Sequence, residues 1–149
     1  MGPAGSAVSL AGAQYADVCP KERTERIYVS GKIIKFNTEI TNGAPYISYD
    51  SAEGTFVISR PGKYVINLML FASNVIDGSK TKIILELNGV IAAFHEVVLS
   101  TDSFSPVSFT DVIQVNCENT DLRILNSGKN MVLNEFAEAV SSISLWGLV

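Results

Sequence analysis

The chain has 149 residues, enough for one domain with a substantial core. It is 47% hydrophobic but only 17% charged, against roughly 25% charged in an average globular protein. Its formal net charge is −4, and the densest basic group, residues 21–26, is interrupted by Glu22 and Glu25, so there is no phosphate-tracking patch and nucleic acid is not an expected partner. No apolar run is long enough to cross a bilayer, because the closest, 65–76, is broken by Asn67, Ser73 and Asn74, so membrane insertion is not expected either.

Residues 1–12 are rich in Gly, Ala and Ser with no hydrophobic period and read as a linker or stalk end, leaving 13–149 as the domain. From Tyr15 onward the pattern is short strands between turns. Ile33, Ile34, Lys35 and Phe36 form a short apolar segment, and 42–45 (Asn-Gly-Ala-Pro) is turn chemistry. Residues 46–49 alternate, and 55–59 read as a strand closed by Pro61 and Gly62. The run 63–74 carries apolar residues on both parities, as a strand buried on both faces does. Segments 82–87 and 90–98 flank Asn88-Gly89, which tolerates the positive φ angles of a two-residue hairpin. Strands at 105–115 and 122–126 follow, with polar turn residues between them, and 140–149 is the last strand. Met131, Val132, Glu135, Phe136 and Ala139 suit a helical turn or two over 130–140, although their spacing is imperfect. Strands at this spacing without helical alternation indicate an all-β antiparallel sandwich. A composition this poor in charge fits a subunit that buries further faces against neighbours, a well-packed monomer being the alternative.

The segment Gly54-Thr55-Phe56-Val57-Ile58-Ser59-Arg60-Pro61-Gly62-Lys63-Tyr64 resembles the strand signature of trimeric C1q/TNF-like jelly rolls. Phe36 in its short strand, the Tyr49-Asp50 pair and the apolar strand 144–149 extend the likeness over about residue 13 to the end. Gly2-Pro3-Ala4-Gly5 is similar to the last triplet of a collagen repeat, where glycine recurs because only glycine fits at the triple-helix axis. A Met directly before such a triplet implies a chain cut from a longer one, with any targeting segment upstream. Residues 55–59 with Gly62 and Tyr64, and the hairpin Leu87-Asn88-Gly89-Val90, resemble the collagen-like glycoproteins of the bacterial spore outer layer, the exosporium. C1q heads carry a cysteine where this chain has Ile58, and bacterial members often lack it. Residues 116–121 depart from the family's Gly-Asp turn.

The resemblance implies a homotrimeric two-sheet jelly-roll head that aligns three collagen-like stalks and forms the tip of a filament on a cell or spore surface. The recognition alternative gives that tip a host receptor or glycan as partner, with Tyr46, Tyr49 and Phe104 as aromatic candidates. A phage or other fibre knob uses a similar head.

The signature places Tyr64 in the sandwich core, so by strand alternation Ile66, Leu68 and Leu70 join it. Val65, Asn67, Met69 and Phe71 then face neighbouring subunits. In the last strand the corresponding interface set is Ile143, Leu145, Gly147 and Val149, with Trp146 and Leu148 turned inward. A one-residue register error inverts such an assignment, and Val65, Met69 and Phe71 then belong to the subunit's own core.

Nothing points to catalysis or a cofactor. His95 is the only histidine, too few for a jelly-roll metal centre, and no serine sits in a nucleophile elbow. Asp50 and Glu53 lack the density of oxygen ligands that calcium needs and read as solvated loop charge. Cys19 and Cys117 have no CxxC spacing and read as unpaired thiols, a single bridge being the alternative.

Overall fold

Short runs of β-branched and aromatic residues between Gly, Asn and Pro turns favour strands, and in the computed structural model the regular elements are strands alone among the described residues. The structure describes residues 12–17, 27–73, 80–98, 107–129, 131–133 and 141–148. The strands are β1 (Gly12–Asp17), β2 (Ile27–Tyr28), β3 (Thr38–Asn42), β4 (Ile47–Asp50), β5 (Thr55–Ile58), β6 (Gly62–Leu70) and β7 (Ala72–Ser73). They continue with β8 (Lys80–Leu87), β9 (Val90–Val98), β10 (Val107–Val115), β11 (Thr120–Asn126), β12 (Met131–Leu133) and β13 (Ser141–Gly147).

Two five-stranded antiparallel sheets form the sandwich, a front sheet in the order β10-β6-β13-β1-β3 and a back sheet in the order β4-β5-β11-β8-β9. Sequence-distant strands lie side by side, β1 against β13 and β5 against β11, which is jelly-roll connectivity. A small third sheet, β2-β12-β7, adjoins them. The core lies between the two large sheets. Tyr64, Ile66, Leu68 and Leu70 point into it from β6, and Phe56, Ile58, Ile83 and Leu85 meet them from the back sheet. Tyr15 bridges the sheets, its ring 4.9 Å from Tyr49 and 5.2 Å from Phe56, while Tyr49 stacks on Phe56 at 4.2 Å.

The hairpin at Asn88-Gly89 forms with φ of 50° and 81° at the two turn residues, so both occupy the left-handed region that this turn requires. The long strand ends earlier than its sequence pattern suggests. β6 stops at Leu70, Ala72 and Ser73 leave to pair with β12, and Asn74 lies outside the described residues. Ile33–Phe36 is not a full strand. Ile33 makes a single bridge to Leu125 and the Ile34 N–H donates to the Ile124 carbonyl at 2.7 Å, yet alternation holds, with Ile34 and Phe36 buried. The helical expectation over 130–140 fails at Met131–Leu133, which is strand β12. Pairing with β2 and β7 and full burial of Met131 override local helix preference there, and Asn130 with 134–140 lies outside the described residues. β1 begins at Gly12, inside the expected linker, and β2 and β3 are strands the sequence pattern does not announce.

Candidate functional site: the outer face of the front sheet

In an antiparallel pair, residues directly opposite share a face, so the register assigns every front-sheet side chain to the core or to the outside. Val112, Val65, Trp146 and Gly12 lie opposite one another across β10, β6, β13 and β1 on the outer face. The next layer is Thr110, Asn67, Ser144, Gln14 and Thr41. The third is Ser108, Met69, Ser142, Ala16 and Thr38. None of these side chains is charged. Val112 is 61% exposed, and the Asn67 amide donates to the Thr110 hydroxyl at 3.2 Å.

Gly12 shapes one end of this face. A Cβ there would lie 2.9 Å from the Leu145 carbonyl oxygen and 3.0 Å from the Trp146 Cβ, so only glycine lets β1 lie this close to β13. Beside it, Gln14, Thr41, Gly43 and Trp146 line a groove of about 450 Å³.

Val65, Asn67 and Met69 lie on the outer face, opposite the core set headed by Tyr64, with Val65 only 8% exposed and Asn67 and Met69 half-buried, and Phe71 is half-buried one residue past β6. The last-strand assignment is inverted. Ile143 and Leu145 are 0% exposed and sit opposite Leu68 and Ile66 in the subunit's own core, so they are not interface residues. Trp146 lies on the outer face instead of turning inward, and Leu148 is exposed. Gly147 lies opposite Tyr64, and Val149 is outside the described residues. The physical reason is strand alternation. In Ser141-Ser142-Ile143-Ser144-Leu145 the apolar parity fills the core and serines 142 and 144 face out, whereas an interface sought as the apolar parity picks the wrong side. That alternation was the available signal for Ser144 and Trp146. Thr110 and Gln14 needed the strand pairing.

The signature residues have structural roles. Phe36, Phe56 and Tyr64 are buried, and the Tyr64 hydroxyl donates to the Arg60 carbonyl at 2.5 Å, pinning the Pro61-Gly62 turn to β6. Gly54 has φ of +67°, and a Cβ on it would meet Ile33 Cγ2 at 2.7 Å. The Asp50 carboxylate accepts the N–H groups of Ala52 (3.0 Å) and Glu53 (3.3 Å), so it closes its own loop.

Away from this face, His95 on β9 places Nε2 2.7 Å from the Asp111 carboxylate on β10 and stacks on Phe109 at 4.3 Å, joining the edges of the two sheets. Tyr49 is taken up by the core, where its hydroxyl accepts the Phe36 N–H at 2.8 Å, and Tyr46 carries the Arg60 guanidinium 3.9 Å above its ring. Neither is a free aromatic platform, and Phe104 lies outside the described residues. Among the described residues the exposed aromatic is Phe94, 59% exposed on the outside of the back sheet with the Lys82 ammonium 5.1 Å from its centroid. Cys117 is an exposed free thiol, and Cys19 lies outside the described residues. Among the described residues no three His, Cys, Asp or Glu side chains gather as a metal site would require.

No family model matches the chain, and no curated protein matches it. Among solved structures it is similar to the globular domain of zebrafish complement 1qA protein. The two share 12% identity over 93% of this chain and 97% of that one, with a TM-score of 0.62. At that identity the likeness concerns the fold, and the fold is a C1q-like all-β jelly-roll sandwich.

Proposed function

We propose that the chain is the trimerising head of a bacterial collagen-like surface protein, in which three copies pack through the outer face of the front sheet and hold three stalks in register. The observation that carries this reading is the stretch of the outer face from the Val65 layer to the Met69 layer, which holds no charged side chain, the exposed Lys63 standing beyond it at the Gly62 end of β6. Charged residues are depleted at the centre of protein contact surfaces, and three successive layers of this face are free of them, with Trp146, Val65 and Val112 at the end nearer Lys63. The chain enters that face at Gly12, opposite Trp146, so a preceding stalk would emerge beside the apolar layer. The collagen-like Gly2–Gly5 triplet and the likeness to exosporium glycoproteins support a spore-surface, extracellular setting in which the residues before Gly12 are the end of the stalk. The role is structural, with no catalytic step.

A second reading follows from Phe94. Its exposed ring on the back sheet points away from the proposed contact face and gives a receptor or glycan a stacking surface that assembly leaves open. Light scattering of the purified chain tests the first reading: three times the 16.0 kDa subunit mass is expected, and a monomer at micromolar concentration overturns it.

A further inference from the structure

The outer face of the front sheet is layered along its strands. The layer containing Val65 and Trp146 is apolar, and two residues further along β6 the layer of Thr110, Asn67, Ser144, Gln14 and Thr41 is wholly polar and uncharged. Within it one side-chain hydrogen bond is made, from Asn67 to Thr110. The Asn67 Oδ1 and the side chains of Ser144, Gln14 and Thr41 have no hydrogen-bond partner among the described residues. On an isolated subunit water satisfies them. Once the face is covered, each needs a partner from the covering surface or loses its hydration without compensation.

We infer that this polar layer is a register key whose partner is the same layer on other copies of the chain, and that it selects a closed ring over an open, stepped assembly. The inference rests on self-association through this face, as proposed above. A rotation axis along the strands moves nothing along their length, so each layer meets its own kind at its own height. Amides and hydroxyls then face amides and hydroxyls, and Val65 and Trp146 face apolar surface. An assembly with a rise along the strands behaves differently. A rise of one side-chain repeat, about 6.7 Å, sets Asn67, Ser144 and Gln14 of one copy against the Val65–Trp146 layer of the next, whose one side-chain polar group is the Trp146 indole N–H, and on the other side against a layer where the hydroxyls of Ser108, Ser142 and Thr38 alternate with Met69 and Ala16, so fewer of their polar groups find partners than in the level arrangement. Apolar contact alone does not discriminate between these arrangements, because it is non-directional. Heterologous contacts that fail to close grow into filaments, so a head meant to end at three copies needs such a discriminator. The absence of charge in the layer favours a second copy over an anionic or cationic partner, which would find no countercharge there.

Sedimentation velocity over a hundredfold range of concentration (about 1–100 µM, spanning common dissociation constants) tests this with the wild type, an Asn67→Leu/Gln14→Leu variant and a conservative Asn67→Ser/Gln14→Asn variant. All substituted side chains are on the surface, and circular dichroism checks the fold of each. The wild type and the conservative variant should give one closed species at every concentration. The leucine variant should still associate, and its ratio of larger species to closed trimer should rise by about tenfold or more, the factor expected when an unpaired-group penalty is removed. A leucine variant that remains a single trimer, or that becomes a monomer, overturns the register key while leaving self-association standing or lost to affinity alone. A monomeric wild type overturns the self-association reading first, and the key with it.

Discussion

Asn126 is a polar side chain of the core that makes three side-chain hydrogen bonds. It is fully buried at the end of β11, its amide nitrogen donates to the Tyr28 carbonyl at 2.7 Å and the Lys129 carbonyl at 2.9 Å, and its oxygen accepts the Thr81 hydroxyl. One side chain thus ties β8, β11 and β2 together. Asn126→Ala removes three side-chain hydrogen bonds at once and leaves the Thr81 hydroxyl and the Lys129 carbonyl their mutual bond at 3.2 Å. The expected loss is at least about 1–3 kcal/mol, the penalty for a single orphaned group, read from urea unfolding. An unchanged midpoint would mean that the groups bonded to Asn126 find other partners. Gly128, two residues on, makes the same region intolerant of bulk, since a Cβ there would meet the Thr81 Oγ1 at 2.6 Å and Cα at 2.8 Å. The core tyrosines make a second prediction. Burial, followed by the hydrogen bond to Glu39, pushes Tyr15 up to about 12, and burial pushes Tyr49 up to about 12. In the unfolded chain both ionise near their ordinary value of 10. The unfolded state therefore sheds protons first, and the stability these residues supply is complete below pH 10 and lost as pH rises toward 12. The melting temperature should fall across that window, and Tyr15→Phe/Tyr49→Phe should flatten the fall. A decline equally steep in the double variant would remove these phenols as its cause.

Two strands of the front sheet give opposed predictions. Met69 on β6 faces outward and Ile143 on β13 faces inward. Met69→Lys should therefore cut the assembled mass to that of a monomer without unfolding it, because a charge buried unpaired at an interface costs about 3–5 kcal/mol, more than a hundredfold in affinity. Ile143→Ala should lower subunit stability by about 2–5 kcal/mol through the cavity it leaves. If Ile143→Ala dissociates a stable subunit, β13 sits in the opposite register. These elements also mark what the sequence could tell. The face of β6 was legible because one residue, Tyr64, was anchored by a family-like signature and alternation supplied the rest. The parity of β13 misleads when apolar character is read as the mark of a contact face, because the apolar parity fills the core and this outer face is largely Ser, Thr, Asn and Gln. β3 gave no signal because Thr-Glu-Ile-Thr-Asn holds one apolar residue, Ile40, and that residue is exposed on an edge strand. The Asn88-Gly89 hairpin was legible because its turn chemistry is local. β12 was not, since its partners are 58 or more residues away in the chain.

At the scale of the whole molecule, the proposed head removes a kinetic obstacle. Three free collagen-like chains must meet in register before they can zip, whereas chains already joined at one end react at high effective concentration. A run of Gly-Pro-x triplets fused before Gly2 should refold to a triple helix faster than the same run alone, followed by circular dichroism. The same fusion carrying Met69→Lys should lose that advantage. Equal rates with and without the head would make it a passive tip.

The two ends of the described chain lie together. Gly12 pairs with Trp146, and the Leu148 N–H donates to the Lys63 carbonyl at 2.8 Å, so the last strand finishes beside the point where the first begins. The Asn88-Gly89 turn is at that end too, since Asn88 bonds to Asp121 near the Gly62 start of β6. The opposite end holds Leu70, Val98 and Val107, where β6 and β9 finish and β10 starts. In the proposed assembly the domain thus has a root and a far end. On a crowded coat of the proposed filaments, an antibody against a tag joined behind the last strand would have to reach that root through its neighbours, although the same tag would be freely bound on isolated protein in solution.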